Sequence, residues 1–149
     1  MVSFEKVTWD NWRQCCSLKA DKYVADNVTI LARAYVSQNM GEEGEVLAIY
    51  NDKEIIGLLF YREFGYPEKC CYIIDEFMID SKYQGNGYGK TALNLLIEKL
   101  RKEGKYNRIE LEYYKENKIA EKLYLNAGFY RLSDDCSEYG TVDIAYDLF

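Results

Sequence analysis

Residues 77–91 read FMIDSKYQGNGYGKT, an apolar run that opens directly into three glycines at alternate positions, Gly85, Gly87 and Gly89. The ending Gly89-Lys90-Thr91 resembles the close of a nucleotide-binding P-loop, but that pattern needs a glycine five residues before the Gly-Lys pair, and Gln84 stands there. The dinucleotide fingerprint G-x-G-x-x-G fails too, because its third glycine position is Lys90. What remains is a glycine-rich turn between a strand and a helix. At such a place unpaired N–H groups and the helix dipole favour an anion, and the missing Cβ atoms let a phosphate or diphosphate approach the backbone.

Working outward, Tyr72–Asp80 is the most apolar strand, as expected in the middle of a sheet. After the glycines, Leu93, Leu96, Ile97 and Leu100 recur at helical spacing, and Gly104 supplies a stop. Ile109, Leu111 and Tyr113 alternate with Glu110, Glu112 and Tyr114, which is strand periodicity. Asn117 suits the cap of a helix running to Ala127, closed by Gly128, and VDIAYDLF at 142–149 reads as a last strand. Upstream, the pattern predicts a strand at 2–7, helices near 10–19 and 27–38, a polar loop at 41–45, and strands 47–50 and 55–61 joined by a turn at Asn51-Asp52. This order predicts one domain over 1–149, a mixed α/β sheet with helices on its faces.

A chain of 149 residues, 48% hydrophobic with one proline, is large enough to bury a core. No apolar run approaches the roughly 20 residues of a membrane span, and the opening MVSFEKVTWDNW lacks a signal peptide's apolar stretch, so a cytoplasmic protein without a membrane partner is expected. The five cysteines lack C-x-x-C spacing and are expected as small buried thiols, with no disulfide framework and no metal. There is no histidine, which excludes Ser-His and Cys-His nucleophile pairs and leaves carboxylates, Tyr, Cys or Lys to move protons. The net charge of −6 argues against nucleic acid and suits a cationic ligand.

The glycine stretch is similar to the acetyl-CoA-binding signature of the GNAT superfamily of N-acetyltransferases, [QR]-x-x-G-x-[GA], with Gln84, Gly87 and Gly89 in the three fixed places. The later stretch NKIAEKLYLNAGF resembles a second family feature through Asn117, Tyr124, Gly128 and Phe129. The resemblance implies a mostly antiparallel central sheet with a splayed central strand and acetyl-CoA as cosubstrate. It implies that the backbone of Phe77, Met78 and Ile79 pairs with the pantetheine arm, and that the stretch Gly85, Asn86, Gly87, Tyr88, Gly89 and Lys90, following Gln84, binds the pyrophosphate. Asn117 would touch the cofactor arm, and Tyr124 would stand beside its sulfur as general acid. Ser81 departs from the Pro that many members carry after the strand, which matters little where the backbone does the binding.

Acyl transfer to an amine needs a group that takes the ammonium proton, and Asp75 and Glu76 are the candidate bases just upstream of the pantetheine residues. As neighbours on a strand they are expected on opposite faces. Asp75 is favoured, since it matches the acidic base of polyamine-acetylating relatives, and the Ile79 N–H is a candidate oxyanion donor. FMIDSKYQGNGYGK and VTWDNW resemble bacterial spermine/spermidine acetyltransferases, which implies a polycationic amine as acceptor; an aminoglycoside, amino acid or protein amine is the alternative, as is a non-catalytic acyl-CoA-binding module. Acids available to an acceptor groove are Asp21, Asp26, Glu42, Glu43, Glu45, Glu110, Glu112, Asp134, Asp135 and Glu138. Many such relatives form dimers, so a homodimer is a further expectation.

Overall fold

The computed structural model describes residues 1–19, 21–66 and 69–149. Along the chain run β1 (Val2–Lys6), α1 (Trp12–Ser17), α2 (Asn27–Asn39), β2 (Gly44–Asn51), β3 (Glu54–Tyr66), β4 (Lys69–Ile79), a 3-10 turn at Ser81–Tyr83, α3 (Tyr88–Glu103), β5 (Arg108–Tyr114), α4 (Lys118–Ala127), β6 (Tyr130–Arg131) and β7 (Thr141–Asp147). The seven strands form one sheet in the order β1-β2-β3-β4-β5-β7-β6, antiparallel at every pairing except β4 with β5. No helix among the described residues is long and apolar enough to cross a membrane.

Each face of the sheet buries its own apolar cluster. The predicted stripe Leu93, Leu96, Ile97 and Leu100 of α3 packs with Tyr124 of α4 against Leu59, Tyr72, Ile109, Leu111 and Ile144. On the opposite face α1 and α2 contribute Cys15, Ile30 and Ala34, packed on Ala48, Leu58, Phe60 and Met78. The caps follow the sequence: the Asn117 side chain accepts from the Ala120 N–H at 3.1 Å, and α3 and α4 stop at Gly104 and Gly128, both left-handed.

The structure departs from the sequence reading where polar residues sit in strands. β3 runs beyond its predicted end and β4 starts before its predicted beginning, because Arg62–Tyr66 continue the antiparallel ladder opposite Lys69–Ile73 despite their charges. Helix α1 ends at Ser17 rather than Lys19, since Leu18 is extended and the Lys19 N–H is taken by the Asp80 carboxylate at 2.8 Å. The short strand β6 has too few residues to show periodicity.

The pairing that positions the site is short and is the sheet's one parallel pairing among the described residues. β4 and β5 are in register only at Tyr72–Ile109 and Ile73–Glu110. Beyond them β4 carries a bulge, Phe60 facing Glu76 and Tyr61 facing Ile74, which leaves Asp75 as the extra residue. From there β4 stays with β3, β5 stays with β7, and a gap opens between Asp75–Ile79 and the end of β5.

Candidate active site

An opened sheet exposes backbone groups that a continuous ladder would use. The Asp80 N–H donates to the Ile56 carbonyl at 2.8 Å, so by antiparallel alternation Met78 also faces β3, whereas Phe77 and Ile79 turn their N–H and C=O towards the gap. The expectation that Met78 offers its backbone to a ligand is therefore corrected: its peptide groups belong to the β3 ladder and its side chain is buried against the α1–α2 cluster. The Ile79 carbonyl accepts from Gln84 Nε2 at 2.8 Å, which leaves its N–H facing the gap.

One side of the gap leads to a cleft of about 720 Å³ under the glycine turn. Gly85 (φ +82°) and Gly87 (φ +81°) are left-handed, and a Cβ on either would meet nothing within 4 Å, so glycine is required there for backbone conformation rather than for room. Gly89 differs: its φ is ordinary, and a Cβ would rest 3.7 Å from Leu123. From Gly85 through Lys90 the N–H groups find no partner among the described residues, the first helical bond being Thr91 N–H to the Gly87 carbonyl. Asn86 pins the turn by donating to the carbonyls of Tyr83 and Gln84, while the Tyr88 hydroxyl accepts from Asn51 at 3.1 Å. Gln84 lines the cleft, yet its amide is committed to Ile79. Lys90, Lys118 and Lys122 add positive charge to the walls.

The other side opens into a second cleft of about 770 Å³. Val24, Phe77, Asn117, Ala120 and Tyr124 line both clefts, so the two meet at Tyr124. The chain between α1 and α2 is tied to each bank of the gap. Ser81 N–H donates to the Lys19 carbonyl at 3.2 Å, the Tyr23 hydroxyl donates to the Glu116 carbonyl at 3.4 Å, and the Tyr23 ring lies 6.2 Å from that of Tyr114.

Asp75 and Glu76 both line the second cleft, which corrects the expectation of opposite faces: the bulge breaks the strict alternation there. Their surroundings differ. Asp75 is held by Arg62, whose Nε and Nη2 both donate to it, the second at 3.1 Å, and Arg62 is itself paired with Glu42 at 3.3 Å. Glu76 has a single donor among the described residues, Arg33 Nη1 at 3.2 Å. Burial pushes the Glu76 carboxyl up to about 7, with the Arg33 charge pulling it down and Asp75 pushing it further up. Burial, reinforced by the Glu76 charge, also raises the Tyr124 hydroxyl, which has no hydrogen-bond partner among the described residues and stays protonated across the physiological range.

Of the acids expected around an acceptor, only Glu110 and Glu112 line this cleft; Asp21 lines the other. Asp26 caps α2, Glu43 pairs with Lys105, and Glu45 pairs with Lys99, which is how charged residues at turns and strand edges are ordinarily used. Asp134, Asp135 and Glu138 stand in the exposed segment before β7 and line neither cleft. Sequence reasoning missed Asp143, which pairs across from Glu112, and the cations Lys22, Arg33, Arg62 and Lys69. Alternation in VDIAYD marks Asp143 as facing away from the Val142 and Ile144 core, but nothing local joins it to Glu76.

The sheet is thus splayed between β4 and β5, with a glycine turn at one bank, a buried carboxylate at the other and a cleft on each side of the gap. Residues 5–129 match the acetyltransferase (GNAT) family, and the chain belongs to it. It is 33% identical over 87 residues to the spermine/spermidine N(1)-acetyltransferase of Bacillus subtilis, a match covering 56% of this chain and 57% of that protein, little more than half of either. The structure is similar to spermidine N-acetyltransferase from Vibrio cholerae, solved with CoA and spermine (TM-score 0.76, 17% identity, 99% of this chain and 95% of that one). It is also similar to the ribosomal-protein-S18-alanine N-acetyltransferase of Escherichia coli (TM-score 0.74, 17% identity, 99% and 94%). At these identities the two structures speak to the fold.

Proposed function

We propose that the chain transfers an acetyl group from acetyl-CoA directly to a primary amine of a small polycation of the spermidine or spermine type. The observation that carries this reading is the meeting of the two clefts at Tyr124, with a carboxyl titrating near 7 on the acceptor side and a run of unpaired N–H groups on the other.

The residues present fit the cofactor. A diphosphate suits the free N–H groups from Gly85 to Lys90 at the N-terminus of a 16-residue helix, and Lys90, Lys118 and Lys122 supply counter-charge. Phe77 and Ile79 offer backbone groups to an amide-bearing arm, and the Asn117 side-chain nitrogen has no partner among the described residues, since it is the oxygen that caps α4. When bound, acetyl-CoA supplies an activated thioester.

Glu76 is the better base of the two acids. It is the one with a single, half-exposed partner, and its carboxylate is available above about pH 7 to receive a proton from an ammonium group. Asp75 instead orders Arg62 and adds negative charge beside Glu76. The gap-facing N–H groups of Phe77 and Ile79 are positioned to stabilise negative charge on a carbonyl oxygen, a contact worth about 3 kcal/mol in comparable sites. Tyr124 keeps its proton until it is needed at the junction. After the pairs Arg62–Asp75, Lys69–Glu110 and Arg33–Glu76 are counted, Glu112 and Asp143 stand without an ion-pair partner among the described residues, which suits further cationic nitrogens.

The test is release of free CoA from acetyl-CoA with spermine, spermidine, putrescine, lysine and an aminoglycoside. Turnover is expected to favour the long polyamines, and Tyr124→Phe to lose turnover while keeping CoA binding. Silence across the panel with CoA still bound would point to a binding module, and preference for lysine or the aminoglycoside would move the acceptor class.

A further inference from the structure

The acceptor cleft already holds cations of the protein's own, and one of them, Arg33, reaches Glu76. Arg33 projects from α2 to Glu76 at 3.2 Å and to Asp75 at 3.6 Å. The two partners it reaches are not equivalent. Asp75 has both oxygens engaged by Arg62, so the longer contact from Arg33 adds little, whereas Glu76 receives its only hydrogen bond among the described residues from Arg33. The burial is lopsided as well: the Glu76 side chain is 12% exposed, the Arg33 side chain 48%. A half-exposed guanidinium on a long flexible stem can leave into water at modest cost, but the buried carboxylate it leaves behind then needs another cation.

We propose that Arg33 is a resident counter-ion of Glu76 which the acceptor's ammonium group displaces, so that acceptor binding is an exchange of one cation for another at the same carboxylate. The inference rests on the acceptor reading given above. Its physical content is that the empty site is protected from carrying a bare buried charge, and that a single ammonium group gains little by the exchange. An acceptor with additional cationic nitrogens gains what Arg33 cannot supply, because Glu112 and Asp143 elsewhere in the cleft have no ion-pair partner among the described residues. The charged and titratable groups that act on Glu76 or beside it are Asp75 on β4, Arg33 on α2, Arg62 on β3 acting through Asp75, and Tyr124 on α4; Lys22 before α2, Lys69 on β4, Glu110 and Glu112 on β5 and Asp143 on β7 line the same cleft. Of these, Arg33 alone donates to Glu76.

Exchange separates two kinetic quantities that a structural role would move together. In the free protein Arg33 holds the Glu76 carboxyl down; in the acceptor complex it is gone. The pH dependence of kcat/KM reports the free enzyme and that of kcat reports the complex. At a pH above the Glu76 titration, where the carboxylate is ionised with or without Arg33, Arg33→Gln should therefore lower KM for spermidine about two- to five-fold, the range for a partly exposed ion pair. It should also move the acid limb of kcat/KM to higher pH, while the limb of kcat stays in place. Arg33→Lys should return both towards wild type. A raised or unchanged KM, or limbs of kcat and kcat/KM that move together, would show that Arg33 stays with the acceptor and overturn the exchange. A measurement without turnover keeps this apart from the acetyl-transfer reading: carbon-13 NMR titration of Glu76, and calorimetric titration of the protein with spermidine. The carboxyl should titrate higher in Arg33→Gln and, at a pH above that titration, spermidine should bind more tightly, whether or not CoA is released; no change in either would refute the role of Arg33.

Discussion

The two clefts that meet at Tyr124 are built from different materials. The one under the glycine turn is made largely of backbone: free N–H groups from Gly85 to Lys90, a helix terminus, and the gap-facing peptide groups of Phe77 and Ile79. The acceptor cleft is made of side chains drawn from α2, β3, β4, β5 and β7, and the pairs that fix Asp75, Glu76 and Glu110 each join two different elements. A site made of backbone depends on conformations that a few contiguous residues dictate. A site made of side chains depends on which strands the fold brings together, and its chemistry is set by ion pairs between residues far apart in sequence.

Substitutions that touch only one cleft sharpen this contrast. The largest effect is expected from Glu76→Gln, which removes the proposed proton acceptor but leaves the turn intact: kcat should fall by about 10²–10⁴ with CoA binding unchanged. The same change should stabilise the fold. The folded carboxyl titrates near 7, above its ordinary 4.5, so the folded state holds a proton that the unfolded state releases between those values, and stability falls as pH rises through that window. Glu76→Gln escapes that cost, which at full size is about 3 kcal/mol above pH 7, and its melting temperature should exceed that of the wild type at pH 8 but match it near pH 4. Equal melting temperatures at pH 8 would mean that Glu76 is not strained by burial.

Asp75→Asn should behave in the opposite way. It leaves Arg62 without its main partner inside the fold, so denaturant unfolding should show a loss of roughly 2 kcal/mol, somewhat below the range for a fully buried pair. The acid limb of kcat/KM should shift to lower pH, because the like charge beside Glu76 is gone. If Asp75→Asn instead abolished turnover in a folded protein while Glu76→Gln kept it, the assignment of the base would be reversed.

The smallest effects are expected in the backbone cleft, where two glycines two positions apart should answer differently. Gly87→Ala forces a Cβ onto a left-handed residue and costs about 1–2 kcal/mol, seen as CoA binding weakened up to about tenfold with the amine KM unchanged. Gly89→Ala has an ordinary φ and only a van der Waals contact with Leu123, so thermal stability should hold or rise slightly. Equal losses at both positions would mean that space, rather than conformation, is what the glycines provide.

The order of elements, the stop glycines, the Asn117 cap and the glycine turn were legible because each is a local matter of periodicity, φ preference and a few adjacent hydrogen bonds. The Leu93–Leu100 stripe landed in the core, and the residues after Tyr72 formed the central strand. The length of the β3–β4 hairpin was not legible, since Arg62 and Glu63 look like loop residues until the partner strand is known. Nor was the bulge, which comes from a mismatch between two strands and has no residue type of its own.

By itself the sequence determined the glycine turn, the helix that follows it and the positions of Tyr124, Asp75 and Glu76 along the chain. Tertiary structure alone decided that Asp75 and Glu76 share a cleft, that Arg62 claims the first and Arg33 the second, and that Met78 turns its peptide groups away. The physical reason is reach: a backbone conformation is fixed by its own residues, while the ionisation of a carboxyl is fixed by how deeply the fold buries it and which distant cation the fold carries to it.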